Sequence, residues 1–386
     1  MSAIIVHARG NKSQAIIRSL GRKGIHVVST DSSRFAAGFF SRYSKSCITT
    51  PSPVLHPEEF LHVIEQRVKN GDLDVLIPSN SVETLLISRY KHRFEPYIKV
   101  PFASYQKMEQ LHNKEKLSIL AAELGIPIPQ TFTPANYDEI KKIAETVNYP
   151  IVIKPKESSS SKGVFYAQSR NECLNIFKNL YDSSPAADTG MPLIQEYIPG
   201  EGYGVSVLFN NGDPRALFTH RRLREYPISG GPSTLRESVH HAQMERIATD
   251  LMKACEWHGV AMVEFKLHAA TKKPYLIEVN PRFWGSISHA IASGVDFPYL
   301  LYTMAMDGDI RPVMDYKIGV KTRFLLNDIR SLYSIFRREK DIPFFIKELL
   351  ADYPNDELHW EDPCPFFMYF GQKFTNALMR KRDDDE

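Results

Sequence analysis

Cysteine is scarce and scattered. The 386-residue chain holds four, Cys47, Cys173, Cys255 and Cys364, and no two stand in a CxxC spacing. A cysteine-built zinc site is therefore not expected, and the usage suits a reducing, cytoplasmic compartment. No apolar run is long enough to form a transmembrane segment. Met1-Ser-Ala-Ile-Ile-Val-His7 reads as a short strand without the apolar stretch of a signal peptide. An excess of one charge is also lacking. Lys and Arg number 48 against 45 Asp and Glu, a net +3, and no basic run occurs, so no nucleic-acid partner is expected. Internal repeats are absent.

What is there is ordinary globular material, 43% hydrophobic and 24% charged, in a length that suits two to three domains. Residues 3–6 form a buried-type strand, Ser13 to Lys23 is helical, and residues 24–31 form a second strand ending in Asp31. This is a βαβ unit of a parallel sheet. Gly10 lies in the intervening loop but not in a GxGxxG, so NAD binding is not expected. A helix over residues 58–70, a strand over 74–78 and a helix capped by Ser79-Asn80-Ser81 continue the pattern. Ligands favour the carboxyl ends of parallel strands, where Arg9, Asn11, Ser79, Asn80 and Glu83 lie. One helix is expected from Tyr105 to Leu124, stopped by Gly125-Ile-Pro-Ile-Pro129.

Three stretches carry chemistry. In Pro274-Tyr-Leu-Ile-Glu-Val-Asn-Pro-Arg282, strand alternation puts Glu278 and Asn280 on one face. Val260 to Leu267 reads as its antiparallel partner and carries Glu264. Two carboxylates and an amide make an oxygen-only site suited to Mg²⁺ completed by phosphate oxygens. Lys154 ends the apolar strand Tyr149 to Pro155, where a cation is costly unless it faces an anion. The loop Lys156 to Gly163, rich in serine, can wrap phosphate oxygens. His220-Arg-Arg-Leu-Arg224, beside the loop Ser229-Gly-Gly-Pro-Ser233, suits a carboxylate or phosphate. A helix is expected over residues 237–258. The aromatic segment Asp362 to Phe370, followed by basic residues, reads as a packed terminal helix, with contact to a membrane surface as the alternative.

From about Asn113 to Asp307 these pieces resemble an ATP-grasp enzyme, closest to the carbamoyl-phosphate-synthase-like, carboxylate–amine ligase branch. The motifs come in family order: Asn113-Lys114, Ile151-Val-Ile-Lys-Pro155 with its loop, Gln195-Glu-Tyr-Ile-Pro-Gly200, Glu264, and Ile277-Glu-Val-Asn-Pro-Arg282. The resemblance implies a mixed α/β and α+β multidomain architecture. A Rossmann-like domain (1–104) would precede the two lobes of the grasp fold (105–190 and 191–310), with a helical extension over 311–386. It implies ATP and two Mg²⁺ ions, with Mn²⁺ an admissible substitute.

By the same resemblance Lys114 and Lys154 contact ATP phosphates, and Ser160, Ser161 and Gly163 close over them. Glu196, Tyr197 and Ile198 form the adenine hinge. Glu264, Glu278 and Asn280 hold the metals, and Arg282, with Lys154, is catalytic. The acceptor side takes His220, Arg221, Arg222, Arg224, Ser229, Gly230, Gly231 and Ser286. The implied reaction activates a small carboxylate as an acyl phosphate and joins it to an amine, releasing ADP and phosphate; a homodimer is allowed. The alternative is a catalytically silent ATP-binding scaffold. Two positions depart from the pattern: Asn113 stands where Asp is usual, and Gly202 where a ribose-binding Glu is usual, which makes Glu201 the ribose candidate.

Overall fold

The computed structural model describes residues 1–157, 163–183, 191–228 and 230–372. Its first sheet is parallel and is built from β1 (Ser2–Val6), β2 (His26–Asp31), β3 (Ser44–Thr49) and β4 (Val75–Pro78), in the order β3-β2-β1-β4. Helix α1 (Asn11–Arg22) connects β1 to β2, α2 (Pro57–Val68) connects β3 to β4, and α3 (Ser81–Arg89) follows β4. β1 lies between two neighbours and is buried at all five positions, which explains its unbroken apolar sequence. β3 gave no signal in the sequence. Ser-Lys-Ser-Cys-Ile-Thr is a polar edge strand with one covered side.

The single helix expected over 105–124 is two, α4 (Tyr105–His112) and α5 (Lys114–Glu123). Asn113 breaks it by adopting φ −78°, ψ 117°. Its Oδ1 accepts hydrogen bonds from the backbone N–H groups of Glu115 (3.1 Å) and Lys116 (3.2 Å). An amide oxygen does the capping work of a carboxylate here, and Lys114 becomes the first residue of α5.

The second sheet is small and antiparallel. It comprises β5 (Thr131–Phe132), β6 (Ile151–Lys154), β7 (Phe165–Ala167) and β8 (Leu193–Glu196), ordered β5-β8-β6-β7. Helices α6 (Tyr137–Thr146) and α7 (Arg170–Ser183) accompany it. Ile140, Ile151, Ile153, Cys173, Phe177 and Ile194 give it a core of its own.

The third sheet has six strands: β9 (Gly200–Asn210), β10 (Asp213–Glu225), β11 (Ser233–Ser238), β12 (Gly259–His268), β13 (Pro274–Asn280) and β14 (Lys321–Arg323), ordered β13-β12-β9-β10-β11-β14. Helices α8 (Ala242–Ala254), α9 (Ile287–Ala292) and α10 (Phe297–Asp307) pack with it. The helix expected from Glu237 begins instead at Ala242, because residues 233–238 pair with both β10 and β14. The sequence beyond Arg323 forms α11 (Leu325–Glu339) and α12 (Ile342–Leu350).

One continuous apolar core joins the first and third sheets, running from Ile4 and Ile17 through Val205, Trp257 and Trp284 to Leu301. The small sheet stands apart from that core. The cleft it leaves against the large sheet is where the chemistry-bearing residues meet.

Candidate functional site

The cleft has a volume of about 440 Å³ and draws its walls from all three sheets. Its floor is the β12–β13 hairpin. The register sets Glu264 opposite Glu278 and Met262 opposite Asn280. Asn280 Nδ2 donates to Glu264 Oε1 at 2.9 Å and to Glu278 Oε1 at 3.2 Å. Two carboxylates facing each other in a closed site repel, so the fold must supply cations. Arg222 forms a close ion pair with Glu264 and lies 3.3 Å from Glu225. Lys114 Nζ lies 3.7 Å from Glu278 Oε2. Burial, with the Glu278 charge adding to it, raises the Glu264 carboxyl above its usual range despite the pull of Arg222. Burial also acts on Glu278, but Lys114, Lys154 and Arg222 together hold it below.

The two lysines are brought together by crosslinks between their elements. Lys114 N–H donates to Lys156 O at 3.0 Å, Lys156 pairs with Glu115 at 2.6 Å, and Asn113 Nδ2 donates to Glu157 Oε1 at 3.1 Å. The start of α5 is thereby sewn to the chain leaving β6. Lys114 and Lys154 are 5% and 4% exposed. Burial, with the Lys114 charge beside it, lowers Lys154 to about 8, against the pull of Glu278 and Glu264. A buried ammonium poised to lose its proton is one that lacks an anion.

Arg282 is fixed on three sides. Nε donates to Ser81 Oγ (2.6 Å), Nη1 to Phe283 O (2.7 Å) and Nη2 to Asn280 Oδ1 (2.7 Å). Ser81 opens α3, so the parallel-sheet unit holds a guanidinium that belongs to the large sheet. At the other end of the cleft Val152, Val164, Tyr166, Tyr197, Ile198 and Ile277 form an apolar slot. The Tyr166 and Tyr197 rings meet edge to face at 5.9 Å. The Glu196 carboxylate accepts from Gln130 N–H at 3.0 Å and its own N–H donates to Gln130 O at 2.8 Å, so Glu196 is tied to residue 130 through both side chain and backbone.

Several expected residues lie elsewhere. Arg221 and Arg224 are outside the cleft: Arg221 pairs with Glu237 at 2.7 Å, and Arg224 with Asp328 at 2.7 Å and Glu348 at 2.5 Å. Strand alternation explains the first, since His220 and Arg222 take the cleft face of β10. Register shifts between Arg222, Arg224 and Glu225 explain the second. The bulge turns Arg224 outward and Glu225 inward. Glu201 is outside too, accepting from Tyr203 OH at 3.0 Å. A Cβ on Gly202 would come 2.9 Å from Arg222 Cδ and 3.1 Å from Glu225 Oε1, so Glu225 fills the space where a side chain at 202 would point. Gly163 is not in the cleft wall; its φ is +71° and its Cα hydrogen side faces Pro155. Ser160, Ser161 and Ser229 lie outside the described residues.

His220, Gly230, Gly231 and Ser286 do line the cleft. His220 is held well below its usual pKa by burial, with His289, Arg222 and Arg236 adding to the effect. Of the loops of the parallel sheet, Asn11 and Asn80 reach the cleft. Arg9 is tied to Asp31 (2.5 Å), Ser79 to Ser13 (2.8 Å) and Glu83 to His7 (2.9 Å). The sequence reading missed Lys12, Tyr166, Glu225, Arg236, Phe324, Asn327 and Tyr369, all in the wall. Lys12 adjoined a residue already singled out. Arg236 fell between the expected glycine-rich loop and the helix expected from Glu237. Tyr369 lay in a segment read as a packed terminal helix rather than as a wall of the site, and Phe324 and Asn327 sit in no local motif.

The donor set fits Mg²⁺. Among the described residues no three His, Cys, Asp or Glu side chains form a cage, and two carboxylates leave room for the phosphate oxygens and waters that Mg²⁺ keeps. Asn280 turns its nitrogen to the carboxylates and its oxygen to Arg282, an orientation assigned from its hydrogen bonds.

Residues 111–286 match a family model described as an ATP-grasp domain. The chain is 26% identical over 234 residues to the carbamoyl phosphate synthase large chain of Pyrococcus furiosus, covering 59% of this chain and 21% of that one. It therefore spans about a fifth of that relative's length. To the formate-dependent phosphoribosylglycinamide formyltransferase of Bacteroides fragilis it is 25% identical over 289 residues, 73% of this chain and 71% of that. In fold it is similar to N5-carboxyaminoimidazole synthetase from Staphylococcus aureus, solved with ADP, at a TM-score of 0.67 and 16% identity over 88% of this chain and 86% of that.

Proposed function

We propose that this chain, which carries an ATP-grasp domain over residues 111–286, is an ATP- and Mg²⁺-dependent ligase that activates a small carboxylate and joins it to an amine. The observation that carries the reading is the facing pair Glu264 and Glu278 with Lys114, Lys154, Arg222 and Arg282 around it in one cleft. An arrangement of two acids among four cations, two of them nearly buried lysines, is built to take up both a metal and a polyphosphate.

Lys114 and Lys154 neutralise the triphosphate, and the apolar slot with the 196–198 backbone takes the base. Glu264 and Glu278 would hold Mg²⁺, Asn280 adding its Oδ1 when its amide turns from Arg282, and the ion would supply charge neutralisation across the phosphates. A carboxylate oxygen of the substrate attacks the γ-phosphorus, the bond to the β,γ-bridging oxygen breaks and ADP leaves. Arg282, already aligned by Ser81 and Phe283, faces the transferred phosphoryl group. The amine then attacks the carbonyl carbon, the C–O bond to phosphate breaks, and the nitrogen loses its proton. The carboxylate is ionised from the start, so alignment and charge neutralisation do the work of the first step.

The test is to measure ADP and phosphate release across a panel of acids and amines. Release that needs one particular acid supports the ligase. Tight ATP binding by calorimetry with no turnover across the panel would favour the silent scaffold.

Glu225 takes the ribose contact in place of a side chain at 202. Glu225→Gln is expected to raise the KM for ATP about tenfold, the worth of one charge-assisted hydrogen bond, while leaving the KM for the acid unchanged. If 2′-deoxy-ATP and 3′-deoxy-ATP both show the same loss in the wild type and in the variant, Glu225 does not touch the sugar.

Lys154 supplies a pH signature. Bound phosphate raises a lysine that burial has lowered to about 8. Above pH 8 metal-free ATP binding should therefore take up a proton, and affinity should fall as pH rises. Calorimetry at about pH 8.5 in two buffers of different ionisation enthalpy reads this as uptake approaching one proton. Lys154→Met should abolish it.

A further inference from the structure

Helices α11 and α12 carry an apolar surface that no other part of the described chain covers. None of the nine residues of α12 is buried, although Ile342, Phe344, Phe345, Ile346, Leu349 and Leu350 are all large and apolar. Ile342, Ile346 and Leu350 are 56%, 49% and 77% exposed, and spacing by four sets them along one side of the helix. On α11, Ile329 and Tyr333 repeat that spacing and are also exposed. The two helices hold each other through Phe336 and Phe345, whose ring centroids lie 5.1 Å apart. A short helix in water owes its stability to packing of its apolar side, and here that side is turned outward.

The charges of the hairpin are sorted by face. Its acids Asp328 and Glu348 point inward and share Arg224. Its cations Arg330, Arg337, Arg338, Lys340 and Lys347 are exposed, against the two exposed acids Glu339 and Asp341. Asp341 is moreover engaged as the cap of α12, accepting from Phe344 N–H at 2.9 Å. An outward apolar face rimmed by cations matches a surface that is apolar inside and anionic at its rim. Docking with a second copy would set the same cations against each other across a two-fold axis.

We propose that the α11–α12 hairpin docks on an anionic lipid bilayer, with Ile342, Ile346 and Leu350 entering the acyl boundary. Arg330, Arg337, Lys340 and Lys347 meet the headgroups. Apolar insertion and headgroup attraction together give stable peripheral attachment where either alone gives little.

The experiment is co-sedimentation of the full chain with phosphatidylcholine vesicles, with and without phosphatidylglycerol. Binding is expected only on the anionic vesicles, and added salt should weaken it. The double variant Ile346→Asp, Leu350→Asp should lower affinity about tenfold or more, with an unchanged circular-dichroism melt because both side chains are exposed. Arg337→Glu with Lys340→Glu should lower it independently. Three results overturn the proposal: no binding to anionic vesicles, equal affinity for wild type and both variants, or a dimer in light scattering that the aspartate variant abolishes while vesicles pellet nothing. None of them bears on ADP release, so this reading and the ligase stand or fall separately.

Discussion

Glu278→Ala is expected to lower ADP release at least about a thousandfold, the scale on which removing a preorganised charge from a phosphoryl-transfer site acts. The argument is electrostatic and specific in sign. Glu278 faces Glu264 across the hairpin and lies 3.7 Å from Lys114. Without its carboxylate the cleft keeps Lys114, Lys154, Arg222 and Arg282 and loses one of two acids. Metal-free ATP should then bind as tightly as before or tighter, because one negative charge facing the phosphates is gone. The enhancement of ATP binding by Mg²⁺ should disappear. Glu278→Gln separates charge from shape and should behave like the alanine variant in the Mg²⁺ titration while keeping the hydrogen bond to Asn280. A merely structural role would weaken ATP binding with and without metal alike. Calorimetry with Mg²⁺ and with chelator distinguishes the two, and full activity in the alanine variant would falsify the metal assignment.

The hairpin was legible because strand alternation is a strict rule: reading Glu278 and Asn280 onto one face needs only a period of two. The pairing of Glu264 with Glu278 followed from the turn between the strands. Arg224 was misplaced for the same reason that Glu278 was placed well. Alternation assigns it to the face of Arg222, and the bulge that reverses this leaves no mark in Arg-Arg-Leu-Arg. Asn113 shows a third case. Its substitution for Asp looked like a departure, yet what the site needs there is an oxygen to cap α5, and an amide supplies it. The C-terminal wall was legible only in part: residues 362–370 read as a packed terminal helix, and residues 364–372 are helical, but nothing in the sequence pointed them at the cleft. Phe324 and Asn327 come from the start of α11, and Tyr369 reaches the cleft because the segment beyond α12 folds back across the molecule; that return depends on long-range ion pairs.

Those ion pairs carry the second large effect. Asp362 is 2% exposed. It accepts from Arg18 Nε (2.9 Å), Ser41 Oγ (2.8 Å) and Arg42 N–H (2.9 Å), joining the C-terminal segment to α1 and the parallel sheet. Arg18, 1% exposed, spends its other nitrogens on the carbonyls of Asp362 (3.1 Å) and Glu357 (3.4 Å). Burial lowers its pKa, and Asp362 is the charge that opposes this. Asp362→Ala leaves a buried guanidinium without its counter-charge and should cost about 3–5 kcal/mol in urea unfolding. Replacing both partners, Arg18→Leu with Asp362→Leu, should cost much less than the single change, because the penalty lies in the unpaired charge rather than in the absent bond. The functional readout should follow the structural one. Releasing the segment removes Tyr369 from the cleft wall, so the single variant should raise the KM for the acid or amine more than that for ATP, whose slot is built from the small sheet and β13. A single-variant cost below about 1 kcal/mol, the range of an exposed pair, would mean that the segment does not stay closed over the cleft in solution, and the acceptor wall would then have to be built without Tyr369.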